Sequence, residues 1–579
     1  MPLMALCLCL TSGMMLSAQG DTPERTVSAP PIARPALALS KPTVDDDGVA
    51  SAAAPADRAV TRKRPNIVMV MADDMRVDDL DFAPHLRRLI GAKGLTFENS
   101  FSPYPLCCPA RASFLTGVYS HNHHVYWHED PYGYQAFDDS ATIATSLRKA
   151  GYRTGFIGKY LNGYGPDISK VSGTPSWKYV PNGWTDWVGA FENPGVKGIH
   201  GGTYYYWDTP YNVNGVVDNH YRGRYQTNVM GDFSVRMARA NHQSRAPFFM
   251  YVSYVAPHHG GPVESDDPVG VRRSDGTDDS LQTPARPDWV KGRFDHAITR
   301  PSGLPRNGGP AEADVSDKPS FFRDLSELRR SERASLTEVT RQRAEAVYVL
   351  DKQVARLVAE LRRTGEWKNT VFMFTSDNGY FLGEHRQRTG KVHAHEPSLR
   401  VPFLVTGPGL RTGEKRYDPI TTVDITATIL DIAGATPPHH ADGISRWATM
   451  RTGDRGWGTP VVTESSHGLG GRRTGFAPRK RDARTSIGLR TPRYSFSLHR
   501  TGESELYDLL TDPAQNRNVY DDPAYRAVRA QLTALWSQYK DCAGATCRAP
   551  MPTDLQAGPS EARRLTRHYW NTIDRIYGR

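Results

Sequence analysis

Cysteine is scarce in this chain: there are six in 579 residues, and Cys7 and Cys9 fall inside an N-terminal apolar stretch. Cys542 and Cys547 have no neighbouring histidines, which sets aside a structural zinc set, and their spacing around Ala-Gly-Ala-Thr points to a local disulfide in an exported protein. Only one long apolar stretch occurs. It runs from Met1 to Leu16, is broken by Thr11, Ser12 and Gly13, and is too short for a membrane span. With Ala18 and Gly20 behind it, it reads as a secretory signal over residues 1–20, so a secreted, periplasmic or extracellular location is expected. No internal repeat is visible, and no zinc-finger or RNA-binding motif accompanies the basic residues. The net charge of +10 and pI of about 9.2 come from scattered Arg and Lys. They favour an anionic partner in general, and nucleic acid is not expected.

A chain of 579 residues exceeds the roughly 250 to 300 residues at which single cores stop growing, so one large domain and a smaller one are expected. Residues 21–63, rich in Ala, Pro, Asp and Thr, read as a disordered linker. Folding should begin at Arg64. Ile67 to Met71 is an unbroken apolar run, the pattern of a parallel strand covered on both faces, and it leads into Asp73-Asp74. The pattern recurs at Gly155 to Gly158 before Lys159, Phe248 to Ser253 before Pro257-His258, and Val371 to Thr375 before Asp377-Asn378. Open α/β sheets bind ligands beyond their strand C-termini, so these four ends are expected to meet at one site. Val347, Leu350, Val354, Leu357 and Leu361 recur at helical spacing and read as the core face of a covering helix.

Residues 163–245, full of Gly, Tyr, Trp and Asn, read as long ordered loops, and residues 260–320 as a further excursion. After Pro438 come short runs at Ser486 to Leu489, Tyr494 to Leu498 and Glu505 to Asp508, then a helix near Tyr525 to Tyr539. The fold class is therefore α/β, with a large, mainly parallel sheet sandwiched by helices over residues 64–437. A smaller antiparallel sheet plus helix is expected over 438–579.

Asp73, Asp74, Asp377 and Asn378 offer only oxygen ligands, which select a hard cation, Ca2+ or Mg2+, over zinc. Either pair alone is an ordinary turn or helix cap. The segment Cys107-Cys108-Pro109-Ala110-Arg111 gives them context. Pro109 suits a first helical turn, so the segment reads as a loop entering a helix whose N-terminal amides face Cys107, where anions are favoured.

With Ala112-Ser113-Phe114-Leu115-Thr116-Gly117 behind it, this segment resembles the active-site signature of the type I sulfatases of the alkaline phosphatase superfamily. The resemblance implies a mixed, mainly parallel alkaline phosphatase-like sheet and sulfuric ester hydrolysis. Cys107 would be converted to formylglycine (3-oxoalanine) by a formylglycine-generating enzyme, and its hydrated aldehyde would be the nucleophile. A second diol hydroxyl can then expel sulfate, which a serine ester cannot do without attack by water on crowded sulfur. Asp73, Asp74, residue 107, Asp377 and Asn378 would hold one calcium ion, with Mg2+ as the alternative. Arg111 would hold the formylglycine, Lys159 and Lys391 the sulfate, and Asp377 would be the base. His258, with His259 as an alternative, would protonate the leaving oxygen.

Lys159-Tyr160-Leu161-Asn162, Ser120 to Val125 and Val180-Pro181-Asn182-Gly183-Trp184 resemble the N-acetylglucosamine-6-sulfatase branch. Many arylsulfatases carry a histidine where this chain has Leu161. The similarity covers about Arg64 to Gly434 and continues through Glu505 to Asp508 and Asp512-Pro513. The implied substrate is N-acetylglucosamine 6-sulfate or a related glycan. The alternatives are a general arylsulfatase, a phosphatase or phosphonate hydrolase of the same superfamily, and a pseudoenzyme that binds sulfated glycans.

Overall fold

The computed structural model describes residues 64–268, 270–272, 278–279, 281–466 and 482–578. The expected signal and linker, residues 1–63, lie outside the described residues. The main sheet contains β1 (Asn66–Ala72), β2 (Leu95–Phe101), β3 (Arg153–Lys159), β4 (Asp186–Ala190) and β5 (Tyr211–Val213). It continues with β6 (Val216–Asp218), β7 (Phe248–Ser253), β8 (Thr370–Ser376), β9 (Phe403–Thr406) and β10 (Glu414–Thr421). Their order is β10-β2-β9-β8-β1-β7-β3-β4-β5-β6. The central strands β8, β1, β7, β3 and β4 are parallel, and β9, β5 and β6 run antiparallel to their neighbours.

The unbroken apolar strands lie where their sequence requires. Every residue of β1, β7 and β8 is buried, because helices cover both faces and leave no solvent side for an alternating polar residue. One face carries α1 (Cys107–Thr116) and α4 (Thr422–Ala433), which pack on each other; α2 (Gln226–His242) and α3 (Arg330–Arg363) also pack together. The long α3 begins where the Glu332 carboxylate accepts the Arg329 backbone N–H at 2.6 Å. It then buries Leu336, Val339, Val347, Leu350, Val354, Leu357 and Leu361. The expected core stripe is thus the inner face of a helix extending well before Val347.

The region read as long ordered loops, residues 163–245, differs from that expectation. It contains β4, β5, β6 and the seventeen-residue α2. Val229, Met230, Phe233 and Met237 are buried along α2, but Gly231 and polar residues between them blur the helical period. Gly231 permits close packing there, since a Cβ would lie 2.3 Å from Gln353 Oε1 on α3.

The second sheet is an antiparallel meander of β11 (Val461–Ser465), β12 (Ser486–Arg490), β13 (Tyr494–His499) and β14 (Ser504–Asp508). Helix α5 (Arg526–Tyr539) buries Leu532, Leu535 and Tyr539 in a core shared with Leu489, Phe496, Leu506 and Phe101 of β2. Cys542 and Cys547 form a disulfide beside it, with Cα atoms 5.0 Å apart. A last helix, α6 (Pro559–Tyr577), was not anticipated from sequence. It buries Ala562, Thr566, Tyr569, Ile573 and Tyr577, and Asn99 of β2 donates to the Thr566 hydroxyl at 2.7 Å.

Candidate active site

Four neighbouring parallel strands, β8, β1, β7 and β3, end level with one another: Ala72 pairs with Ser376, Met71 with Ser253, and Ser253 with Gly158. Asp377 and Asn378 follow β8, Asp73 and Asp74 follow β1, His258 follows β7, and Lys159 ends β3. Gly158 is forced by the crowding at this edge. Its φ is +106° and a Cβ would sit 2.0 Å from the Ser253 carbonyl oxygen, so only glycine lets β3 reach Lys159 against β7.

Strands β8 and β3 stand three spacings of about 4.8 Å apart, so groups at their ends meet only where side chains reach inward. Arg111 spans the gap. From one turn into α1 its Nε donates to Asp377 Oδ2 at 2.8 Å, one terminal nitrogen donates to the Lys159 carbonyl at 3.0 Å, and the other lies 3.7 Å from Asp73 Oδ2. Helix α1 is buried along its whole length, and Cys107 is its first residue. The backbone amides of the first turn, at Cys107, therefore sit at the positive end of a helix in a water-poor setting.

The remaining residues close around this frame. The Lys159 and Lys391 ammonium groups pair with Asp73 and Asp74. Asn378 Nδ2 donates to Asp74 Oδ1 at 2.7 Å, and Asp377 Oδ1 accepts the backbone N–H groups of Asp74 and Asn378 at 3.1 and 2.8 Å. His258 Nε2 lies 3.7 Å from Asp74 Oδ2, and its Nδ1 is 2.7 Å from the His259 carbonyl oxygen. Thus every residue expected at the site, namely Asp73, Asp74, Cys107, Arg111, Lys159, His258, Asp377, Asn378 and Lys391, lies in one cluster.

Burial governs the titration of these groups. It pushes the Asp377 carboxyl up, with Asp73 adding to the rise, and it raises the Cys107 thiol against the pull of Lys159. It pulls Lys159 and Lys391 down, but the negative groups around them, led by Asp73 for Lys159 and Asp74 for Lys391, together outweigh it and leave both above the usual lysine range. Burial, reinforced by His259 and both lysines, holds His258 well below its usual value.

The donor set fits a hard cation. Asp73 Oδ1, Asp74 Oδ2 and Asn378 Oδ1 are buried without a hydrogen-bond donor, and ligand atoms of Asp73, Asp377 and residue 107 lie within 4.8 Å of one another. Buried oxygens left unpaired are costly, and a divalent ion would satisfy several together. A cavity of about 540 Å³ opens beside them, lined by Cys107, Lys391, His258 and His128 among others. That volume falls within the roughly 300–1,000 Å³ of small-molecule sites.

Three residues here escaped the sequence reading of the site. Arg343 of α3 donates to the Asp74 carbonyl at 2.6 Å and to Asp79 Oδ2 at 2.8 Å; an arginine on a helix gives no local sign of such a role. Asn162 contacts Cys107 Sγ at 3.2 Å and Tyr204 reaches Asn162 at 2.6 Å. Asn162 belongs to the Lys159-Tyr160-Leu161-Asn162 segment and Tyr204 to the region 163–245, but nothing in the sequence brings the two together.

The Sulfatase family model matches residues 65–435, and that of the N-sulphoglucosamine sulphohydrolase C-terminal region matches residues 383–541. An arylsulfatase of Volvox carteri is 30% identical over 539 residues, which cover 85% of this chain and 77% of that protein. The N-acetylglucosamine-6-sulfatase of Homo sapiens is 28% identical over 423 residues, covering 70% and 68%. An extracellular sulfatase SULF-1 homologue of Drosophila melanogaster is 30% identical over 418 residues, 70% of this chain but 33% of that protein, so this chain spans about a third of its length. Among solved structures, a protein in complex with its substrate D-glucosamine-2-N,6-O-disulfate is similar at a TM-score of 0.61 and 21% identity, covering 83% of this chain and 99% of that one. With a family model across most of the chain and relatives matched over more than two thirds of it, this chain belongs to the type I sulfatases of the alkaline phosphatase superfamily.

Proposed function

We propose that this protein hydrolyses the sulfate ester of a sulfated sugar, N-acetylglucosamine 6-sulfate or a related glycan, with Cys107 modified to formylglycine. The observation that carries this reading is the cluster itself: two lysines, three carboxylates and a buried helix N-terminus around residue 107, open to one cavity. The likeness to the human N-acetylglucosamine-6-sulfatase and to the structure holding a disulfated glucosamine supports the sugar. Residues 64–437 are assigned as the catalytic unit and 438–579 as the C-terminal unit. Export through the N-terminal signal and modification by a formylglycine-generating enzyme complete the proposal.

Asp73, Asp74, Asp377, Asn378 and residue 107 would hold one calcium ion, or Mg2+ in its place. The modified residue would supply a hydrated aldehyde that attacks sulfur, and the ion would offset the negative charge gathered there. The protein's own groups do the rest. Arg111 fixes Asp377, the proposed base, against residue 107 and ties it to the Lys159 strand end. Lys159 and Lys391 can turn their ammonium groups from Asp73 and Asp74 toward a sulfate beside them. His258 donates Nδ1–H to the His259 carbonyl, so its Nε2 would deliver a proton to the departing oxygen as the imidazolium, the form that a bound sulfate anion favours against burial. A sugar alkoxide needs that proton far more than a phenolate does. Charged groups already in place before the reaction are the usual source of the largest catalytic effect.

A mass spectrum of the Cys107 peptide, beside a sulfate-release screen of sulfated sugars, aryl sulfates and phosphate esters, tests this reading. The expected result is formylglycine at position 107 and turnover of a 6-O-sulfated glucosamine derivative. An active protein with an unmodified Cys107 thiol overturns the nucleophile, and turnover confined to aryl sulfates or phosphate esters overturns the sugar.

A further inference from the structure

Lys159 to Asn162, singled out in the sequence, and the aromatic run Thr203 to Trp207 meet at the mouth of residue 107. Asn162 Nδ2 donates to the Tyr204 hydroxyl at 2.6 Å, and Asn162 Oδ1 faces Cys107 Sγ at 3.2 Å. The Tyr204 ring lies 4.7 Å from the His258 ring and 4.8 Å from the Lys159 ammonium. Tyr204 therefore touches the proposed acid, a proposed sulfate lysine and, through Asn162, the proposed nucleophile.

Its backbone is well anchored. Gly261 N–H donates to the Tyr204 carbonyl at 2.9 Å and Tyr206 N–H to the Gly261 carbonyl at 2.8 Å. The Tyr206 hydroxyl donates to the His258 carbonyl at 2.7 Å, and Gln226 N–H to the Tyr206 carbonyl at 2.7 Å. The run that carries Tyr204 is thus zipped to the loop that carries His258.

The hydroxyl's bonding then leaves one proton to place. A phenol accepts and donates, and Tyr204 accepts from Asn162. Among the described residues it has no acceptor for its own O–H, and it lines the cavity together with Cys107, Asn162, His258 and Lys391. Burial holds the phenol protonated, well above the usual tyrosine range.

We propose that Tyr204 is a further substrate-binding residue, donating its O–H to a sulfate oxygen, and that Asn162 is a positioning residue that bridges Tyr204 to residue 107. This rests on the sulfate ester reading above. The amide suits the bridge, because its carbonyl accepts from whatever hydroxyl or thiol residue 107 carries while its NH2 fixes the phenol. A phenol O–H meeting an anion forms a charge-assisted bond, stronger than a neutral one.

Binding decides the first half. Inorganic sulfate is titrated calorimetrically, with calcium present, into Cys107→Ala and into Cys107→Ala with Tyr204→Phe; the phenylalanine keeps the ring against Lys159 and His258. The second protein should bind roughly tenfold or more weakly, as loss of a hydrogen bond to a charged group requires, with an unchanged melting temperature. Equal affinity, or no sulfate binding by Cys107→Ala, overturns the assignment.

Kinetics on 4-nitrophenyl sulfate decide the second half. Tyr204→Phe and Asn162→Ala should each lower kcat/KM roughly 10- to 100-fold, and the double variant should fall little further than either, since the two act as one unit. Losses that simply add overturn the pair. If Asn162→Ala fails to fold, Asn162→Asp replaces it; the carboxylate has no NH2 for the phenol, so the same fall is expected. A wild type that turns over sulfate esters beside an unaffected Tyr204→Phe overturns this inference and leaves the proposed function standing. A wild type without such turnover removes the proposed function, and the binding arm still reports on Tyr204.

Discussion

Replacing Glu396 by Gln should destabilise the fold by about 3 kcal/mol near neutral pH, a figure reached by two routes. Glu396 opens the short helix Glu396–Leu399, just beyond the Lys391 segment. Its carboxylate lies between two guanidiniums, Arg490 of β12, whose Nε is 2.7 Å from Oε1, and Arg400, paired with Oε2. All three side chains are 3–4% exposed. Arg400 lies 4.1 Å from the Tyr569 ring of α6 and 4.7 Å from Phe101 of β2, so the triad sits where the two sheets and the last helix meet.

The first route is titration. Burial disfavours the charged carboxylate, but the two arginines outweigh it and bring Glu396 from 4.5 down to about 2. A depressed acid contributes stability that is full above the unfolded value and is lost as pH falls toward the folded value. That difference, at about 1.4 kcal/mol per pH unit, amounts to about 3 kcal/mol. The second route is direct: removing one member of a buried ion pair costs about 3–5 kcal/mol, because the partners stay buried and uncompensated. Urea unfolding at several pH values measures the effect. The gap between wild type and Glu396→Gln should be full near pH 7, shrink below about pH 4.5 and nearly close by about pH 2. A gap under about 1 kcal/mol at neutral pH, or one that does not change with pH, would falsify the account of this junction.

Exhaustive chelation should abolish sulfate ester hydrolysis and lower the melting temperature, both restored by Ca2+ or Mg2+, because the proposed ion would satisfy Asp73 Oδ1, Asp74 Oδ2 and Asn378 Oδ1, which are buried without a hydrogen-bond donor; full activity in protein shown metal-free by elemental analysis contradicts this. His258→Ala should damage turnover of a sugar sulfate far more than that of an aryl sulfate, and equal losses remove His258 from the acid role. Replacing Cys542 and Cys547 together by serine should cost about 2 kcal/mol, the loop-closure value for so short a loop, with kcat unchanged in folded protein. A loss of kcat without loss of stability would tie that loop to catalysis.

The strands that build the site were legible because both of their faces are covered. β1, β7 and β8 have no solvent face, so their sequences are continuous apolar runs, and each run stops where chemistry begins. The second sheet was legible for a different reason, since its strands are short and bounded by turn residues. Helix α2 was missed because its apolar residues are interrupted by Gly231 and by polar side chains that pack laterally onto α3. Helix α6 was missed although Ala562, Thr566, Tyr569, Ile573 and Tyr577 do recur at three- and four-residue spacing; the arginines among them concealed the stripe. What sequence could not convey is contact between distant polar groups. Arg400 stands four residues beyond Glu396, but nothing local announces that Arg490 will reach the same carboxylate, or that Asn162 will touch Tyr204. Such pairs are specified by how the loops pack, which leaves no period in the chain.

The charge balance of the site bears on what it can accept. Asp73, Asp74 and Asp377 contribute three negative charges, and Lys159, Lys391 and Arg111 contribute three positive ones in contact with them. The protein groups alone are therefore neutral, and one divalent ion held as proposed would leave the pocket at two positive. A sulfate monoester would bring one negative charge, and passing the proton of a hydroxyl at residue 107 to Asp377 would move charge within the pocket without adding any. Without Arg111 the three carboxylates would face two lysines alone, in a buried site where unbalanced charge is expensive. Arg111 therefore does more than tie two strand ends together, because the same guanidinium also balances the third carboxylate.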